Sequence, residues 1–263
     1  MNTSCNNDDD EMVYPIVGKT YNLAPLVDEE NEDSWGNPEI LQRPDIIIWE
    51  STNKIVTAEG QPGSSVTEVM NMILAFVPIP GADNYMDALQ KTLRNISFLP
   101  DGKIQAEYVE NLVDEKDNWK TSPKGVATYR VESDTRLRLF IHLDKVQDAN
   151  IRASEGQDPI MQILPLLTDL LENGIPLTYH LDNEKLAVYM DKETLLPIIK
   201  KLKPLFENPD IQKSLKAEIS QTMPGMDFII NPLIDAIFRD MPAVIDGTTN
   251  IQLGLNLIET ANK

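Results

Sequence analysis

Two histidines, a single cysteine and 42 acidic side chains are the groups in this sequence from which chemistry would have to be built. Nucleophilic catalysis needs a nucleophile held against a base. His142 and His180 are the only histidines, and neither belongs to a Gly-x-Ser-x-Gly elbow. They do share a short echo, Ile141-His142-Leu143-Asp144 and Tyr179-His180-Leu181-Asp182, both at strand ends. Four residues are too few to establish a repeat. Zinc asks for three or four clustered ligands, and one cysteine with two scattered histidines gives no such spacing. No Gly-x-Gly-x-x-Gly or Walker loop is present to cradle phosphate. The acidic run Asp28-Glu29-Glu30-Asn31-Glu32-Asp33 lacks the ligand spacing and turning glycine of a calcium loop, and reads as a solvated loop. Carboxylates are so many that spacing selects no acid–base pair. The sequence therefore names no catalytic, cofactor or metal residue, and a carboxylate hydrolase stands only as the enzymatic alternative.

Cys5 carries a different kind of signal. Small residues Thr3 and Ser4 precede it, and Asn6-Asn7-Asp8-Asp9-Asp10-Glu11 follows. That arrangement is similar to a bacterial lipoprotein acylation site opening onto an acidic tether, a reading that requires a leader upstream. Cys5 is the expected lipidation residue, and residues 1–12 are the expected tether.

The whole-chain balance is 23 basic against 42 acidic residues, a net charge of −19 over 263 residues. A field of that sign repels phosphate backbones and anionic headgroups, so nucleic acid is not an expected partner. Hydrophobic residues at 41% argue for a folded chain with an ample core. No apolar run reaches the ~20 residues of a membrane helix, so membrane contact is expected only through the anchor. What remains as candidate binding chemistry is apolar. Trp119 lies in a polar connector, where its ring would stack on a ligand or pack on the sheet edge. Met70 and Met161, with further methionines on apolar helices, are adaptable linings for a greasy cavity.

Those residues need elements to hold them. Residues Asn95–Leu143 read as two β-hairpins in succession. Pro100-Asp101-Gly102-Lys103 turns the first, Glu132-Ser133-Asp134-Thr135 the second. In the last of these strands Leu137, Leu139, Ile141 and Leu143 share one face, and Arg136, Arg138, Phe140 and His142 share the other. A first strand is expected near residues 19–23, an early hairpin over 45–49 and 55–58, and another over 175–181 and 186–190. A closing strand is expected from the alternation of Ile251, Leu253, Leu255 and Leu257. Ser65-Val66-Thr67-Glu68 is a capping box opening an amphipathic helix to Val77. Asp83 is the expected cap of a second, short helix, and Asp158-Pro159 opens a helix over 160–171. Asp191 caps another that ends near Phe206; a surface helix follows Pro209, and a last apolar helix covers 228–238.

The run Ile96-Ser97-Phe98-Leu99-Pro100-Asp101-Gly102-Lys103-Ile104 to Tyr108, then Trp119, Ser122-Pro123-Lys124-Gly125 and Tyr129, resembles a family of uncharacterised Bacteroidota lipoproteins. Gly174-Ile175-Pro176-Leu177 and Leu186–Tyr189 resemble the second sheet segment of that family. The resemblance implies an exported, lipid-anchored protein of the outer membrane or cell surface, and supplies no catalytic residue. Calycin-like or tubular lipid-binding architectures are an analogy at the level of shape.

The expected architecture is a single α+β domain over residues 13–263. Its antiparallel β-sheet of successive hairpins, about seven to nine strands, has amphipathic helices packed mainly on one face. The expected function is non-enzymatic binding of a hydrophobic small molecule or a partner protein, with a structural or adhesion subunit as the third class.

Overall fold

The computed structural model describes residues 14–32, 38–76, 79–109, 112, 118–142, 170, 173–222, 225 and 227–260. Cys5, Met161, the whole of the expected tether and nearly all of the expected helix at 160–171 lie outside them.

The hairpins form where their turn residues require. β5 (Leu93–Phe98) and β6 (Lys103–Tyr108) pair across a turn in which Gly102 takes a positive φ of 75°. β8 (Ala127–Ser133) pairs with β9 (Arg136–Ile141), and β10 (Ile175–Asp182) with β11 (Lys185–Met190). The early strands are β1 (Thr20–Leu23), β2 (Val27–Glu32), β3 (Pro38–Gln42) and β4 (Asp45–Ser51), with the short β7 (Lys120–Thr121) against β6. The closing strand β12 (Thr248–Glu259) is 12 residues long.

Strand β12 turns this sheet into a tube. It lies against β11 along one edge; along the other it pairs first with β4, from Thr248 to Leu255, and then with β1, from Leu257 to Glu259. The hydrogen-bonded circuit β1-β5-β6-β8-β9-β10-β11-β12 returns to β1, an eight-stranded antiparallel barrel from which β4 branches. A strand that changes partner must bend, and Gly254 sits beside the change. A Cβ on it would stand 2.1 Å from the Val188 carbonyl oxygen, so only glycine fits.

Closure makes the apolar sheet face the barrel interior. Tyr21, Phe98, Tyr129, Leu137, Tyr179, Leu186 and Leu257 fill it from the strands, and Ile16, in the turn before β1, is buried with them. Phe98 stands edge-on between Tyr21 and Tyr129, with ring centroids 6.0 and 5.2 Å apart. The hydroxyls of Tyr129 and Tyr179 donate to the turn carbonyls of Leu99 and Ser133 at 2.9 and 3.0 Å.

The five helices found among the described residues build a second core. α1 (Val66–Phe76) lies on β4 and brings Val66 and Val69 against Leu233, Ala236, Met241, Val244 and Ile245 of α5 (Asp227–Asp246). α3 (Lys192–Glu207) adds Leu196, Ile199 and Phe206, and α4 (Pro209–Thr222) lies on α3 and α5. The small α2 (Tyr85–Thr92) touches β5 and α1. The capping box forms as expected, Ser65 Oγ accepting from the Glu68 amide at 3.2 Å and Glu68 from the Ser65 amide at 2.6 Å.

The antiparallel, hairpin-built α+β character holds; the division of the core differs. An open sheet would need helices to seal its apolar face, whereas a closed one seals itself, so the helices gather on β4, β12 and each other. The expected early hairpin is also absent. β4 pairs with β12, and Ile55 makes only an isolated bridge to Ser64 while its side chain enters the helical core. The acidic run expected as a loop is largely β2, drawn into strand form by β3. Asn84 rather than Asp83 caps α2, accepting from the Asp87 amide at 3.0 Å.

Candidate functional site

Among the described residues, two surface clefts stand out against the barrel. The larger, about 420 Å³, lies between the outward faces of β9 and β10 and the side of α3. Its size falls in the range of small-molecule sites. Alternation along β9 sends Leu137 inward and Arg136 and Arg138 outward onto the cleft wall. Across it, α3 presents Glu193, Pro197 and Lys201 at four-residue intervals, one stripe of the helix, with Thr194 and Ile198 beside them. Leu170, Asn173, Gly174 and Pro176 complete the lining. Gly174 has a positive φ of 76°, and a Cβ there would come within 2.6 Å of the Arg138 and Phe140 side chains. The missing side chain gives Arg138 its place: its Nη1 donates to the carbonyls of Asn173 and Gly174, both at 3.3 Å.

The polar groups differ in how firmly they are held. Arg138 spends its remaining donors on Glu132, at 2.7 Å from Nε and 3.4 Å from Nη2. Arg136 bridges two carboxylates, Asp191 at 2.9 Å from Nη1 and Glu193 at 2.7 Å from Nη2. Asp191 is the N-cap of α3. It accepts from Thr178 Oγ1 at 2.7 Å and from the Thr194 amide at 3.2 Å, tying the helix to β10. Burial pushes its carboxyl up, but the bonds from Thr178 and Thr194 and the charge of Arg136 outweigh that and hold it below the ordinary carboxylate range. Such a group stays ionised at neutral pH, so Asp191 serves there as an acceptor and a fixed negative charge. Lys201 carries no ion pair among the described residues.

The smaller cleft, about 340 Å³, lies over β10, β11 and β12 and is lined by His180, Asp182, Lys185, Asn256 and others. Arg43 also lines it, so two cations there face one carboxylate, in the smaller volume. No known family, curated protein or solved structure matches this chain.

The residues singled out from sequence do not converge. Trp119 is half-buried with the Arg94 guanidinium 4.1 Å from its ring centroid, so one of its faces is taken by the protein's own cation. Met70 packs against the helical core, away from both cleft linings. His142 Nε2 is 3.0 Å from Thr128 Oγ1, and His180 lines the smaller cleft, so the two histidines are not brought to one site. Among the described residues no group of three or more His, Cys, Asp or Glu side chains is placed to hold a metal ion, and no helix is long and apolar enough to cross a membrane. Of the cleft residues, Arg136 and Arg138 were in view in the sequence as the outward face of a strand; Glu193 and Lys201, on a helix read for its apolar positions, were missed. What the sequence lacked was the pairing of β9 with β10 that brings α3 beside them.

Proposed function

We propose that the protein is a non-enzymatic binding protein of the cell envelope, held there by lipid on Cys5. Its ligand is a small molecule with an anionic head and an apolar body, taken in the cleft between α3, β9 and β10. One observation carries this reading: three cations, Arg136, Arg138 and Lys201, border the same 420 Å³ cleft as Leu170, Pro176, Pro197 and Ile198, on a chain whose net charge is −19. A strongly acidic protein that gathers cations around a half-apolar hollow has a surface suited to an amphiphilic anion. The barrel interior, by contrast, is occupied by its own tyrosine, phenylalanine and leucine side chains, which moves the apolar-ligand reading from the sheet's inner face to its outer wall.

Calorimetric titration with decanoate and with decyl maltoside, equal in chain length but different in charge, tests the cleft. Decanoate binds saturably and more weakly as salt rises, and the maltoside does not bind. Lys201→Glu weakens decanoate roughly tenfold, as reversal of a nearby charge does. Equal binding of the two, or none, overturns the cleft reading. Mass spectrometry of the protein from cell membranes tests the anchor: an N-terminal peptide with unmodified Cys5 overturns it.

A further inference from the structure

The two carboxylates on Arg136 are not equivalent. Asp191 is built in: its side chain is 19% exposed and held by Thr178, by the Thr194 amide and by the guanidinium. Glu193 reaches the same guanidinium from open solvent, its side chain 81% exposed, with Arg136 as its one partner among the described residues. Arg138 has no comparable opening, since Glu132 and two backbone carbonyls already take its donors. The cations left to meet a ligand are Lys201 and whichever side of Arg136 Glu193 gives up.

We infer that Glu193 is a resident stand-in for the ligand's anionic group, and that the ligand binds by displacing it from Arg136. This rests on the cleft being the binding site. The displaced pair is exposed and monodentate, a contact that contributes little and breaks readily. An incoming carboxylate would gain the same guanidinium and sit over an apolar floor. α3 fixes the dimensions: Glu193 and Lys201 are eight residues apart, about 12 Å along the helix axis, with Pro197 and Ile198 between them. A head at Arg136 therefore leaves the ligand's body along Pro197 and Ile198 toward Lys201. A second anionic group about 12 Å from the first would pair with that lysine, so the cleft prefers extended dianions with an apolar middle over compact ones.

The test titrates decanoate and dodecanedioate into the wild-type protein, Glu193→Gln and, as a charge control outside the cleft, Glu59→Gln. Removing the competing carboxylate tightens decanoate by roughly three- to tenfold in Glu193→Gln. Glu59→Gln stays within about twofold of wild type, as expected for a screened remote charge. Dodecanedioate binds more tightly than decanoate, and Lys201→Gln removes that preference. Binding by wild type that Glu193→Gln leaves unchanged or weakens, or that Glu59→Gln tightens equally, overturns displacement and leaves the cleft standing. If none of the proteins binds either probe, the cleft reading and this inference fall together.

Discussion

Tyr21 and Tyr129 belong to the same ring stack yet differ in what their hydroxyls meet. Tyr129 donates to the Leu99 carbonyl, whereas the buried Tyr21 oxygen has no partner among the described residues. Burial and the nearby Asp101 push the Tyr129 phenol up to about 12; burial, Glu259 and Tyr179 push the Tyr21 phenol up as well, so both stay neutral. Tyr129→Phe is expected to cost about 1 kcal/mol, because it strands a turn carbonyl, while Tyr21→Phe is neutral or stabilising. Urea unfolding midpoints check the pair. Asp191→Asn is expected to lose about 1–3 kcal/mol at pH 7 through the severed ties to Thr178, Thr194 and Arg136. Because the folded-state value of Asp191 is lowered, its contribution is present above the unfolded value of about 4 and is lost as pH falls through the lower folded one. The stability gap between wild type and Asp191→Asn therefore narrows below about pH 4, which denaturant titrations at several pH values would show. The capping role of Asp191 was legible in the sequence; its bond to Arg136 was not, since 55 residues of chain separate them and only the β9–β10 pairing closes that distance.

At the scale of elements, local chemistry was readable and partner choice was not. Pro100-Asp101-Gly102, the Ser65–Glu68 capping box and the leucine alternation of β9 and β12 each announce an element through turn geometry or periodicity, and each forms. Ile55 misled because a buried apolar residue in a loop resembles one in a strand when only its neighbours in sequence are seen. The acidic β2 misled in the opposite sense, because charge marks solvent contact without forbidding an extended backbone. The element that decides the fold is β12, and its telling residue is Gly254, whose demand comes from β11 across the ladder. Gly254→Ala is expected to cost more than about 2 kcal/mol, since a backbone carbonyl rather than a flexible side-chain tip meets the added carbon. Thermal unfolding followed by circular dichroism checks it; a near-native melting temperature would show that β12 does not bend there as described.

For the molecule as a whole, closure separates two jobs that an open sheet would combine. The strands bury their apolar faces in one another and hold the shape; the helices, released from sealing the sheet, make their own core, and α3 is left with one side against the barrel wall. The hollow there draws its cations from β9 and from the middle of α3. The alternating strands were sufficient to foresee an antiparallel sheet, but closure depends on β1 meeting β12, segments about 230 residues apart, and no local pattern encodes it. In the proposed function the outer cleft, and not the barrel interior, receives the ligand. Titrating decanoate into isotope-labelled protein and following amide and methyl NMR shifts tests it most directly. Saturable shifts centred on Arg136, Thr194, Ile198 and Lys201, with Leu137, Leu255 and Leu257 still, are the result expected. Shifts concentrated on those three leucines, with the cleft silent, would contradict it.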